Sequence, residues 1–161
     1  MSKFLLTEEM VLICAKRAVR PHSIYINDEV KREHLRHVAA RGTGHPPSRG
    51  MVLRRLRSLA AKGFLRESAF PDGNYGYEWA IRESIKYTRD NLPDVLAFTG
   101  KHSKWGEWFS SFEDYQRHVD ENGSRFLIVG GNGTRTAVPG DWIIKHPDGY
   151  FSIVCSQSMT S

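Results

Sequence analysis

Arginine and lysine side chains are concentrated in residues 41–66, a stretch with seven basic residues and no acidic one. A guanidinium group is always charged, and its planar set of donors matches a phosphate or the edge of a guanine. Such a block is the electrostatic pattern of a protein that binds a polyanion. A solvated basic face is the alternative, and charge alone favours neither interpretation. The seven residues are Arg41, Arg49, Arg54, Arg55, Arg57, Lys62 and Arg66.

The positive charge belongs to the first half of the chain. The protein has 161 residues and a net charge of +5. Residues 1–82 contain 15 Lys/Arg and 8 Asp/Glu, a balance of +7, whereas residues 83–161 contain 8 and 10, a balance of −2. The length suits two small domains, and the composition is that of a folded globular protein. We therefore predict one domain over 1–82 and a second over 83–161.

Histidine, cysteine and serine residues give no catalytic or metal-binding pattern. His34 and His37 have the i,i+3 spacing of one helix face, but no third ligand is evident, so they are predicted to be surface or groove-facing. Cys14 and Cys155 each lie in an apolar run, which predicts buried thiols rather than a disulfide. Phosphate-loop, GxSxG and HExxH motifs are missing from the sequence. We expect neither an enzyme nor a protein with a metal or cofactor.

Two tryptophans lie close together in the second half of the chain, in the segment KHSKWGEW. Trp105 and Trp108 are predicted to lie in an exposed loop. Tryptophan is enriched among the residues that dominate binding to other proteins, although it is equally common in cores. The pair is therefore a candidate protein-binding surface.

The basic residues depend on a helix that begins after Ser48. Apolar residues at helical spacing follow this serine, and Gly63 marks the helix end. At about 100° per residue, Arg54 falls roughly 160° away from Leu56, the centre of the apolar stripe. Arg54 must then face outward, together with Gly50, Arg57 and Ser58, and with Arg55 at the edge of this face.

Two further helices are predicted before this one, and a hairpin after it. Thr7 caps a helix to about Val19, and Asp28 caps one to about Arg41. Between them, residues 22–27 (HSIYIN) are β-branched and aromatic, which predicts a short strand or an extended link. FLRESAF and YEWAI, on either side of PDGNYG, have the pattern of a hairpin.

The second half of the sequence predicts a small α+β domain with antiparallel strands. Its elements are a strand at 85–88, a helix at 93–98 ended by Gly100, a helix from the cap Ser111 to about Glu121, and the strands RFLIVG, TRTAV, DWIIK and YFSIVC. No apolar run is long enough for a membrane helix, and no signal peptide is evident. A cytoplasmic location is therefore expected.

The segment VLRRLRSLAAKGFLRES resembles the recognition helix and first wing strand of winged helix-turn-helix proteins, in which a helix ends in Lys-Gly followed by two apolar residues. The resemblance implies double-stranded DNA as partner, a three-helix domain with a β-hairpin, and a homodimer as one possible state. The proline-rich link HPP before Ser48 departs from the tight turn of that motif. The DNA-contacting residues that it implies are Ser48, Arg49, Arg54, Arg55, Arg57, Ser58, Lys62, Arg66, Asn74 and Tyr75.

The second half resembles a small domain of phage and prophage proteins. The matching pieces are IKYTRDNLPDVLAFTG and PGDWIIKHPDGYFSIVC, whereas the acidic tail common after the last strand is missing. This resemblance implies a phage origin but no activity. Pro139-Gly140-Asp141 is interpreted as a tight turn and Trp142 as a core residue.

Two hypotheses follow from these residues and resemblances. The first is a phage-encoded DNA-binding protein that regulates transcription in the cytoplasm or nucleoid of a bacterial host. The alternative is an inhibitor of a host protein machine, such as a defence system, nuclease or polymerase, which uses Trp105 and Trp108 for binding. The two can also be combined in one protein.

Overall fold

A computed structural model of the protein describes residues 3–40, 42–69, 77–102, 104–130 and 133–159. Contacts between residues divide the chain into two compact units, Met1–Arg82 with Met159–Ser161 and Glu83–Ser158. We refer to them as the N-terminal and the C-terminal unit. Both combine helices with antiparallel strands, so the predicted α+β class is confirmed. Within the described ranges, no helix is both long and apolar enough to span a membrane.

The first helix, α1 (Glu8–Arg17), begins at the predicted cap. Thr7 Oγ1 accepts a hydrogen bond from the backbone N–H of Met10 at 3.1 Å. Two glutamates occupy the first turn and two cations the last, which complements the helix dipole. The helix is two residues shorter than predicted because Ala18 adopts an extended conformation with ψ 138°.

The second helix, α2 (Ser23–Ala39), overturns the prediction of a strand or extended link at 22–27. His22 caps it, since its Nδ1 accepts from the backbone N–H of Ile24 at 3.1 Å. Asp28 lies inside the helix and is not its cap. Ile26 and Val30 are one helical turn apart and both buried, so packing outweighs the β propensity of this segment.

The third helix, α3 (Arg49–Ala61), forms where the sequence predicts it. Ser48 caps it by accepting from the backbone N–H of Met51 at 3.3 Å. Val52, Leu56 and Leu59 are buried, and α3 contacts both α1 and α2. After the helix, Gly63 takes a positive φ of 89°, a conformation that costs glycine little.

Strands β1 (Leu65–Ala69) and β2 (Tyr77–Ile81) pair antiparallel, as the sequence predicts. Leu65 lies opposite Ile81, and Glu67 opposite Trp79. Trp79 is fully buried and is the largest core side chain of this unit. The turn predicted at 71–76 lies outside the described residues.

The C-terminal unit contains the predicted helices and strands. Its strands form a three-stranded antiparallel sheet in the order β3-β6-β7 and a separate pair, β4-β5. Ser111 caps α5 by accepting from the backbone N–H of Asp114 at 3.2 Å. The elements are β3 (Ser84–Lys86), α4 (Leu92–Thr99), α5 (Phe112–Glu121), β4 (Phe126–Gly130), β5 (Gly133–Ala137), β6 (Trp142–Lys145) and β7 (Phe151–Val154). A 3-10 turn (Ser156–Met159) follows, and its last residue belongs to the N-terminal unit.

Tyr87 anchors the core of the C-terminal unit beside the tight turn at 139–141. It is 1% exposed, and its hydroxyl donates to the carbonyl of Ser124 at 3.0 Å. Burial raises the pKa of this phenol. The backbone N–H of Gly140, where φ is 104°, donates to the Tyr87 carbonyl at 2.8 Å, and Trp142 is buried. The structural interpretation of the PGDW motif is therefore confirmed.

Candidate nucleic-acid interface

The outward face of α3 is formed by two arginines and two small residues. Arg54 and Arg57 are exposed, on the side of the helix opposite the buried Leu56. Gly50 and Ala61 are exposed on the same side, one turn before Arg54 and two turns after it. We call these four residues the α3 face. Its guanidinium groups are free to extend from a surface that the small residues leave open.

The α3 face keeps its positive charge because no acidic residue neutralises it. Helix α3 contains no Asp or Glu, and within the ranges that the structure describes, no ion pair joins Arg49, Arg54 or Arg57 to a carboxylate. By contrast, α2 pairs its basic residues with its own acids. Those pairs are Lys31–Asp28 at 4.0 Å, Arg32–Glu29 and Arg36–Glu33. Positive charge is therefore neutralised on α2 and left unpaired on α3.

Ser58 and Lys62 do not share the α3 face. The Ser58 hydroxyl donates to Glu8 Oε1 at 2.5 Å, and Lys62 Nζ forms an ion pair with the other carboxylate oxygen. Glu8 is 1% exposed. Ser58 and Lys62 lie about 40° and 80° around the helix from Arg54, which turns them towards the first turn of α1. The predicted outward orientation of Ser58 is wrong, and these two half-buried side chains are bound to the buried Glu8 carboxylate.

Arg55 lies at the edge of the α3 face, half buried. Its Nε donates to the backbone carbonyl of Leu6 at 3.4 Å, a long hydrogen bond that holds the stem of the side chain towards the segment before α1. Its contribution to an external surface is smaller than that of Arg54 or Arg57.

The remaining predicted DNA-contacting residues fall into two groups. Ser48, Arg49 and Arg66 are exposed, the first two at the start of α3 and the third on β1. The start of a helix favours anions through its free N–H groups and its dipole. Asn74 and Tyr75 lie outside the described residues, as does Arg41 of the basic block.

The two histidines of α2 differ in burial. The predicted surface position is wrong for His34, which packs inside the N-terminal unit. His34 is 6% exposed, and its Nε2 lies 3.0 Å from the Gly44 carbonyl. Its ring meets Phe4 edge to face at 5.0 Å. A Cβ at Gly42 would lie 2.2 Å from the half-buried His37 ring, so only glycine lets the backbone at this position lie against that ring. No group of three metal-ligating side chains occurs in the described part of the chain.

The two cysteines differ, because only Cys14 is buried. Burial raises the pKa of the Cys14 thiol to about 11, with a smaller contribution from the negative charges of Glu33 and Glu29. Cys155 is exposed directly after β7, so the prediction that it is buried is wrong. The apolar run does not predict burial here, because β7 itself is only partly buried and Cys155 lies beyond its last residue.

The two tryptophans of the loop also differ. Trp105 is half buried, with its ring 5.1 Å from Tyr115 and 6.1 Å from Phe109. Its predicted exposure is wrong, since it packs against the core of the C-terminal unit. Trp108 is 64% exposed and is the largest apolar side chain on the described surface.

None of the protein families, curated proteins or solved structures compared with the chain matches it. The resemblances to a winged helix and to a phage domain therefore stay expectations from the sequence.

Proposed function

We propose that the protein binds double-stranded DNA through α3 and acts as a phage-encoded regulator of transcription. The observation that supports this most directly is the unpaired charge of Arg54 and Arg57 on a helix without acidic residues. By contrast, Lys31, Arg32 and Arg36 of α2 are each paired with an acid of the same helix. Guanidinium groups without an acid partner, on one face of a helix, can bind phosphates and the edges of bases.

In this proposal the α3 face enters the major groove. The groove is about 12 Å wide and accommodates one α-helix, provided that the outward residues allow close approach. Gly50 and Ala61 leave that space, and Arg54 and Arg57 reach guanine edges or phosphates. Arg49 at the helix start and Arg66 on β1 add phosphate contacts that fix the orientation of the unit.

DNA binding is tested by comparing two double variants that remove the same charge. Arg54→Gln with Arg57→Gln removes the unpaired arginines, whereas Arg32→Gln with Arg36→Gln removes paired ones. Fluorescence anisotropy with duplex DNA over a range of salt concentrations gives the affinity and its salt dependence. We expect the first variant to bind weakly, with a slope of log K against log salt reduced by about 0.9 for each lost phosphate contact. Equal loss in both variants contradicts the assignment to α3.

A regulator must also discriminate between DNA sequences, and this requires contacts to bases, since phosphate contacts are the same in every sequence. Arg54→Lys with Arg57→Lys keeps the charge but loses the bidentate fork that reads guanine. Selection of binding sites from a random duplex pool tests this. The wild type should enrich a defined site, and the lysine variant should bind with a similar salt slope but a weaker preference. Failure of the wild type to enrich any site argues against a transcriptional regulator.

Inhibition of a host protein is the second candidate, and the exposure of Trp108 favours it. Trp105 no longer supports this candidate because it packs inward. The two functions differ in the residues on which they depend. If expression of the protein impairs a host defence or polymerase, and Trp108→Ala abolishes this effect while Arg54→Gln with Arg57→Gln does not, the protein-directed function is favoured.

A further inference from the structure

The C-terminal unit contains a cavity of about 220 Å³. Its lining comes from His102, Trp108 and Phe109 before α5, from helix α5 and the residues after it, and from the β4-β5 pair. Leu127 and Thr136, which are opposite each other in the strand register, contribute from the pair. The lining residues are His102, Trp108, Phe109, Tyr115, His118, Val119, Asn122, Arg125, Leu127 and Thr136.

The polar groups of this cavity are mainly hydrogen-bond donors. His102 Nδ1 accepts from the backbone N–H of Lys104 at 3.0 Å, so the proton of the neutral ring is assigned to Nε2. His118 Nδ1 lies 3.4 Å from Asn122 Nδ2, an amide that also donates to the His118 carbonyl at 2.8 Å. Burial raises the pKa of Tyr115 to about 12, so its phenol stays protonated at neutral pH. A ligand with acceptor groups is therefore favoured.

Arg125 gives the cavity its charge. It is exposed, precedes β4, and has no ion pair within the described part of the chain. The lining contains no Asp or Glu, although the second half of the sequence has an excess of acidic residues. An unpaired guanidinium with donors around it matches a carboxylate.

Aromatic rings also line the cavity. The His102 and Trp108 rings are 5.7 Å apart and only 30° from parallel, and Phe109 meets His102 edge to face at 6.0 Å. Flat surfaces of this kind stack on planar ligands. The volume lies below the range of about 300–1,000 Å³ for drug-sized ligands, which limits the ligand to one or two rings.

We infer that this cavity binds a small planar aromatic carboxylate, whose ring lies against Trp108 and His102 and whose carboxylate pairs with Arg125. This function is separate from DNA binding, because it uses residues of the C-terminal unit alone. The same chemistry occurs in a free aromatic acid and in the C-terminus of a peptide that ends in an aromatic residue. The volume is that of one free aromatic acid, which is the occupant we infer, and the peptide C-terminus is the alternative that the peptide experiment tests.

Calorimetric titration of the full chain tests the inference with matched probes. Naphthoate and indole carboxylate supply the ring and the charge, naphthamide supplies the ring without the charge, and cyclohexanecarboxylate supplies the charge without the planar ring. We expect the aromatic acids to bind with a Kd of about 1 mM or below and to bind at least 10-fold more tightly than either control. Absence of binding at that concentration, or equal binding of naphthoate and naphthamide, overturns the inference.

Two variants locate the binding on Arg125. Arg125→Gln should weaken naphthoate binding about 10-fold or more, because a hydrogen-bonded charge is lost. The control Arg89→Gln removes an exposed arginine of the same unit that does not line the cavity, and it should bind like the wild type. Both arginines are exposed, so folding should be kept. Unchanged binding in Arg125→Gln overturns the inference.

The source of the carboxylate is distinguished by a short peptide that ends in tryptophan, with either a free or an amidated C-terminus. Weaker binding of the free peptide than of indole carboxylate supports a free aromatic acid as ligand. Tighter binding of the peptide, lost on amidation and in Arg125→Gln, overturns the preference for the free acid and assigns the cavity to a protein C-terminus.

Discussion

Glu8 at the start of α1 and Lys62 at the C-cap of α3 form an ion pair inside the N-terminal unit. The Glu8 side chain is 2% exposed and that of Lys62 is 24% exposed. A second partner, the Ser58 hydroxyl, satisfies the other oxygen of the carboxylate at 2.5 Å. The pair connects the first helix to the third. Lys62 is therefore a structural cation, unlike the exposed arginines of the α3 face.

Removing Lys62 should destabilise the N-terminal unit. Lys62→Met leaves the buried Glu8 carboxylate without its counter-charge, which costs about 3 kcal/mol in the free energy of unfolding. Glu8→Gln combined with Lys62→Met removes both charges and should recover most of that loss. Urea denaturation followed by circular dichroism measures the difference.

The matched control for this prediction is Arg57→Met, which removes a cation from an exposed position of the same helix. Its unfolding free energy should stay within about 0.5 kcal/mol of wild type. If Lys62→Met is equally harmless, the ion pair has no role in stability, and Lys62 becomes available for an external partner.

Local features of the fold were predictable from the sequence, but features that depend on distant partners were not. Ser48 and Ser111 were predicted as caps because their partners lie three residues away. His22 was missed, since α2 begins there through the burial of Ile26 and Val30 rather than through its own propensity.

The same reason limits the prediction of the candidate site. The directions of Arg54 and Arg57 follow from helix geometry alone. Helix geometry also predicts Ser58 on this face, which is wrong. Its partner Glu8 is 50 residues earlier in the chain, and no local pattern indicates that contact. The C-terminal cavity was missed entirely, since Arg125 and His102 come together only when α5 and the β4-β5 pair have packed.

The two cysteines should react at different rates with an alkylating reagent. Cys155 is exposed, whereas Cys14 is buried with a pKa raised to about 11, so little of its reactive thiolate is present at pH 8. We expect Cys14 to be alkylated at least about 100-fold more slowly, as measured by mass spectrometry of peptides. Cys155→Ser should then remove the fast reaction, and urea should expose Cys14. Fast labelling of Cys14 in the folded protein contradicts the burial of its thiol.

Asp114 in the first turn of α5 should titrate at unusually low pH. Hydrogen bonds from the Ser110 hydroxyl and backbone N–H hold its pKa below the ordinary range, with a smaller contribution from Arg117. A carboxylate whose pKa is lower in the folded state stabilises the fold above its unfolded pKa, and this contribution is lost as the pH falls through the folded value. Acid should therefore loosen the start of α5.

Ser110→Ala tests this assignment because it removes the hydroxyl and keeps the backbone. The pKa of Asp114, followed by NMR of its carboxyl carbon, should rise towards the ordinary value. Glu113 is the internal control, since its lowered pKa depends on backbone and Ser111 hydrogen bonds rather than on Ser110. A parallel rise of both pKa values means that α5 has frayed, and the specific bond is then not the cause.

Gly50 offers a test of the α3 face that changes no charge. Its helical backbone accepts a side chain, and an added Cβ would have no neighbour nearer than Ser48 Oγ at 3.9 Å. Gly50→Ala should raise the free energy of unfolding by roughly 0.5 kcal/mol, because the unfolded chain loses freedom. Gly50→Trp should fold equally well, yet its large ring would hold α3 away from the base edges.

The DNA affinity of these variants separates a helix that enters the groove from one that only attracts phosphate. Gly50→Ala should bind DNA like the wild type, whereas Gly50→Trp should lose sequence preference and at least about 10-fold in affinity, the equivalent of about 1.4 kcal/mol. Leu35→Trp, which enlarges a residue of α2 that is 64% exposed, is the matched control and should bind normally. If Gly50→Trp also binds normally, the outward arginines of α3 contact the backbone from a distance, and base readout through this face is excluded.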